Sequence, residues 1–105
     1  MALPIDTIVN DMIASISGQV SGDVDVIKNY FLQIVKKQKE ALDSIADGFK
    51  SGELTVEEVK EELESQKTVL ETELLAIQVM NKAMVQKAAN AAINSVLKIL
   101  EIVVP

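Results

Sequence analysis

Cysteine, histidine, arginine and tryptophan are all absent from this 105-residue chain. Without cysteine there are no disulfides, no thiolate nucleophile and no sulfur-ligated metal, and the redox compartment stays open. Without histidine the commonest general base and the commonest metal ligand are missing together. All ten basic residues are lysine, so the planar fork that grips carboxylate or phosphate in two places is lacking. Aromatics are reduced to Tyr30, Phe31 and Phe49. A net charge of −6 argues against nucleic acid as a partner, since phosphate neutralisation supplies most of that affinity. Neither glycine nor proline occurs between residues 54 and 103, which removes the usual helix breakers from half the chain.

What remains is a chain 49% apolar, built on Ala, Ile, Val and Leu, too apolar for simple disorder. Its length and composition predict a single all-α domain spanning residues 1–105, with coiled-coil or bundle-like packing. The first helix is expected over residues 4–18. Pro4 suits a helix start, Asp6 complements the dipole, and Ile5, Ile8, Val9, Met12, Ile13 and Ile16 form the buried face. Gly18 and Val20-Ser21-Gly22 end it, with Ser21 or Asp23 capping the next helix. The second helix, over residues 23–50, carries a seam of Val24, Ile27, Phe31, Ile34, Leu42, Ile45 and Phe49, flanked by Val35, Ala41 and Ala46. Lys50-Ser51-Gly52 stops it.

A third, very long helix is expected over residues 55–103. Thr55 and Glu58 make a capping box at its start. Its seam runs through Val56, Val59, Leu63, Leu70, Leu74, Ile77, Met84, Ala88, Ala91, Ala92, Ile99 and Ile102 in steps mostly of three or four. Gln66, Asn81 and Ser95 interrupt it. The short 50–55 connection makes the second and third helices antiparallel neighbours, a long helical hairpin preceded by a short helix. That register sets Lys36, Lys37 and Lys39 opposite Glu61, Glu62, Glu64 and Lys67, unless both runs are simply solvated faces.

From Leu75 onward a second apolar line joins the seam: Leu75, Val79, Ile93, Leu97 and Leu100. A helix apolar over most of its girth has to be surrounded. Unbroken, at ~1.5 Å per residue, the third helix extends on the order of 70 Å. A compact domain of this size has a radius of gyration near ~13 Å. Either the molecule is a rod or the helix breaks, and the neighbourhood of Asn81 is the one candidate for a break. The unbroken reading leaves the second line bare within the chain. It therefore predicts an interface formed by Leu75, Val79, Met84, Ala88, Ala91, Ala92, Ile93, Leu97, Ile99 and Leu100. Ala88-Ala89-Asn90-Ala91-Ala92 offers a small-residue surface for close backbone approach, and Asn81 and Ser95 are candidates for fixing register.

Residues 76–97, Ala-Ile-Gln-Val-Met-Asn-Lys-Ala-Met-Val-Gln-Lys onward, resemble helices of small bacterial motility- and secretion-associated proteins. The likeness covers about a fifth of the chain, contains no diagnostic residue and assigns no family.

Candidate chemistry is sparse. Glu57, Glu58, Glu61, Glu62, Glu64, Glu71 and Glu73 lack the histidines of a di-iron bundle and read as a solvated face. Asp43 to Gly48 does not have calcium-loop spacing. Ser15, Ser17, Ser44 and Ser65 have no histidine to activate them, and no phosphate-cradling glycine loop is present. The residues predict no cofactor, no metal and no enzymatic activity. Residues 1–4 lack the features of a cleavable signal, which predicts a cytoplasmic protein or one exported without a signal. Residues 83–104 are apolar, but Gln86, Lys87, Asn90, Asn94, Lys98 and Glu101 make a membrane span costly. The leading expectation is a non-enzymatic structural protein that self-assembles through its C-terminal half into an oligomer or filament. The alternatives are an adaptor or chaperone that holds a client's amphipathic helix, and a membrane-active helical protein.

Overall fold

The computed structural model describes residues 2–19 and 24–102. Among them are four helices: α1 (Ile5–Ile16), α2 (Val24–Lys50), α3 (Val56–Ala76) and α4 (Lys82–Ile99). Each packs on two others in a closed ring, α1 on α2, α2 on α3, α3 on α4 and α4 back on α1. The short connections alternate the helix directions, so the ring is an up-and-down bundle. Its radius of gyration is 13.4 Å and its extents are 43 × 25 × 20 Å.

The all-α class agrees with the sequence. The three-helix hairpin with one very long third helix does not: the chain breaks at residues 77–81 and folds back. Ile77 ends α3, Gln78 swings to φ 56° and donates its N–H to Leu75 O at 3.2 Å. Asn81 then caps α4, its side-chain oxygen accepting from Met84 N–H at 2.9 Å. Met80 and Val85, the positions of a hydrophobic staple, are both buried in the core. A left-handed residue with a side chain costs about 1–2 kcal/mol. Folding back buries Ile93, Leu97 and Leu100 against the chain itself. At about 1.5–3 kcal/mol each, three such side chains outweigh the turn.

The other boundaries follow local chemistry. Thr55 and Glu58 form the expected capping box, with Glu58 N–H to Thr55 Oγ1 at 3.1 Å and Thr55 N–H to Glu58 Oε1 at 3.0 Å. Gly52 takes φ 83° in the α2–α3 turn, which an L side chain resists. At Gly48 a Cβ would lie 2.8 Å from Leu54 Cδ1, so a side chain there requires Leu54 to shift. At the far end of α4, Glu101 at φ 60° closes a Schellman motif: Ile102 N–H bonds Leu97 O and Glu101 N–H bonds Lys98 O. The expected capping by Ser21 or Asp23 lies outside the described residues, as do residues 20–22 and 103.

The core draws on every helix, with Ile8, Val9, Met12, Phe31, Val35, Val59, Leu63, Leu70, Leu74 and Val85 among its most buried members. Two members of the expected α2 face depart from it, Val24 and Ala41, both exposed.

Candidate interaction surface

The fold-back redistributes the residues expected at an interface. Met84, Ala88, Ala92, Ile93, Leu97 and Leu100 are buried within the chain's own core. Ala91 and Ile99 are half-buried. Leu75 and Val79 stay outside, 41% and 43% exposed. The alanine surface of α4 is thus used at home, where small side chains let neighbouring helices come close.

Two cross-helix contacts fix which parts of α2 and α3 share a level. The Gln38 side-chain amide donates to Gln66 O at 3.0 Å and to Gln66 Oε1 at 2.9 Å, and Lys37 Nζ lies 3.6 Å from Glu73 Oε2. The start of α2 is therefore level with the turn at 77–81. Lys37 meets Glu73 rather than the expected Glu61, Glu62 or Glu64. Glu64 instead pairs with Lys67 on its own helix at 3.2 Å, and Lys39 pairs with Asp43. The exposed Lys37–Glu73 pair contributes little to stability.

This leveling places the apolar residues that remain bare. Among the described residues, the large hydrophobic side chains left exposed are Val24, Val26, Val69, Leu75 and Val79, between 39% and 48% exposed. Val69 lies halfway along α3. The other four share one end of the bundle, where α2 starts and α3 turns into α4. Val26, and the exposure of Val24, are not evident from helical spacing, because both stand in the first turn of α2, at the end of the bundle.

The opposite end is polar and tied down. Leu3 N–H donates to Asp43 Oδ1 at 2.8 Å, fastening the segment before α1 to α2. Partial burial acts to raise the Asp43 carboxyl. The hydrogen bonds from Leu3 and Lys39 and the Lys39 charge outweigh it and hold the group below its ordinary value of 3.8. An open cleft of 740 Å³ lies beside it, lined by Lys36, Lys39, Asp43, Ser44 and Asp47 among others. Its charges have both signs, and the Lys39–Asp43 salt bridge is internal to α2.

Two polar side chains are deeply buried. Gln38 uses its amide nitrogen on Gln66, while its oxygen has no partner among the described residues. Ser95 lines a shallow groove between α1 and α4 with Asp11, Ser15 and Lys98, and its hydroxyl has no partner among the described residues. Asn81 and Ser95, the two candidates for fixing register, therefore separate. Asn81 is an exposed cap and Ser95 a core residue. Gln38 and Gln66, not this pair, join two helices through polar contact.

Among the described residues, no three Asp or Glu gather where a metal ion could be held. No described helix is long and apolar enough to cross a membrane. Compared with protein-family models, with curated proteins and with solved structures, the chain finds no match.

Proposed function

We propose that the protein is non-enzymatic and works by associating with itself, through the bundle end that carries Val24, Val26, Leu75 and Val79. One observation carries this reading: four of the exposed large apolar side chains share that end, while the rest of the core is closed. The lack of histidine, cysteine and arginine supports a role that does not depend on chemistry at a site. A patch meeting its own copy across a two-fold axis closes at two molecules, so the assembly is a dimer and not a filament.

Covering four half-exposed side chains recovers roughly 1 kcal/mol apiece in each copy. Against an association cost of at least ~4 kcal/mol, the end contact alone is of about millimolar strength. The test is sedimentation velocity up to millimolar concentration, on the wild type and on a Leu75→Asp/Val79→Asp variant. The wild type is expected to dimerise with rising concentration and the variant to remain monomeric with unchanged helicity. Equal association of both would place the contact elsewhere. A wild-type monomer at every concentration, binding an amphipathic helical peptide at this end, would replace self-association with the adaptor reading.

A further inference from the structure

We propose that two copies associate by exchanging α4: the turn at 77–81 opens, and the α4 of each chain seats on α1 and α3 of the other. This rests on the self-association reading above and supplies its mode.

The two interhelix turns of known geometry differ in how firmly they are built. The α2–α3 turn has a glycine at φ 83°, a complete capping box and Leu54 packed where Gly48 leaves room. The α3–α4 turn has none of these. Its residues are Ile77, Gln78, Val79, Met80 and Asn81, every one able to enter a helix, and Gln78 holds a left-handed conformation that a residue with a side chain resists. A single backbone bond at 3.2 Å, the Asn81 cap and the Met80–Val85 staple close it. If these residues take helical dihedrals, the strained conformation is relieved and the lost cap is replaced by main-chain bonds.

The packing tolerates the exchange. α4 packs closely on α1 and α3, and among the described residues its backbone does not come close to that of α2. Both of its interfaces can therefore be reproduced by a second copy, with each four-helix unit intact. In the exchanged dimer the two opened turns lie side by side at the molecular two-fold. Leu75 and Val79, bare in the closed chain, are brought together there with the neighbouring Val24 and Val26. The exchange thus accounts for both the weak turn and the apolar end, and it retains every contact of α4 with the core.

Gln78 is exposed, so substitutions there change backbone preference with little loss of packing. Gln78→Gly favours the left-handed turn and weakens a helix through it; Gln78→Ala does the reverse. Because each dimer opens two turns, the dissociation constants of these variants are expected to differ by about a thousandfold, Gln78→Ala dimerising more tightly. Sedimentation equilibrium reads this. X-ray scattering on the Gln78→Ala dimer should give a particle close to twice the 43 Å long axis. If the wild type dimerises but both variants share its dissociation constant, exchange is overturned and plain end-to-end association stands. If dimers follow residue 78 and survive Leu75→Asp/Val79→Asp, exchange stands and the apolar contact is the part that fails. If Gln78→Ala remains monomeric at millimolar concentration, α4 is not exchanged.

Discussion

Truncating Leu97 to alanine separates a folded-back α4 from an extended one. Leu97 is 6% exposed and shares the floor of a groove between α3 and α4 with Leu63 and Ile93. In the ring, Leu97→Ala removes buried methyl groups and leaves a partly collapsible space. Such changes cost about 2–5 kcal/mol, and the adjoining groove puts this one near ~3 kcal/mol. For a domain of this size each kcal/mol moves the melting temperature by about 4–8 °C. The expected loss is on the order of 12–24 °C, read by circular dichroism at 222 nm in dilute solution, with urea unfolding as a second probe. On an extended rod the same side chain faces water, and its truncation stays within about 0.5 kcal/mol. Val79→Ala is the matched control: it removes an exposed side chain from the same apolar line and is expected to leave the melt nearly unchanged. A Leu97→Ala melt within about 3 °C of wild type would refute the fold-back argument. So would a Val79→Ala loss as large as that of Leu97→Ala.

The remaining predictions concern the turn and the polar end. The Asp43 carboxyl is held below its ordinary value of 3.8, so its contribution is complete above that value and is lost as pH falls through the lowered folded value. Unfolding of wild type and Asp43→Asn in urea should accordingly converge as pH falls below 3.8, and a gap that stays constant on acidification would count against the Leu3 and Lys39 contacts. Thr55→Ala removes the acceptor of the Glu58 N–H and should lower stability by about 1 kcal/mol in denaturant titration; no change would mean that water replaces the cap at no cost. Gly48→Ala gains helix propensity but drives a Cβ to 2.8 Å from Leu54 Cδ1 and 2.9 Å from its Cγ. Overpacking of about 1–3 kcal/mol should exceed the propensity gain of about 1 kcal/mol, so a more stable variant would show that Leu54 moves aside freely.

Much of the fold is legible in the residues because it is decided locally. The stop at Lys50-Ser51-Gly52, the Thr55–Glu58 capping box and the buried stripes of α1 and α2 all follow from spacing, capping and glycine placement. Gln38 was readable too: it falls four residues after Ile34 and four before Leu42, on the buried stripe, and Gln66 interrupts the facing one. Two polar interruptions on facing helices are each other's partners. The break at 77–81 is of another kind. Asn serves as an N-cap or as an ordinary helix residue, and no glycine or proline decides between them. The decision belongs to tertiary packing, since the second apolar line could be covered either by another molecule or by a reversal of its own helix. Reversal covers Ile93, Leu97 and Leu100 but leaves Leu75 and Val79, which precede or form the turn, in the open.

The closure of the ring between α1 and α4 also bears on how the chain reaches its folded state. During synthesis α1, α2 and α3 emerge first, with one wall of their shared interior missing. The sides of α1 and α3 on which α4 packs are sealed only when Lys82–Ile99 arrives. Until then the incomplete bundle presents a trough the length of a helix, open to any apolar segment nearby, and α4 is the lid that ends this vulnerable interval.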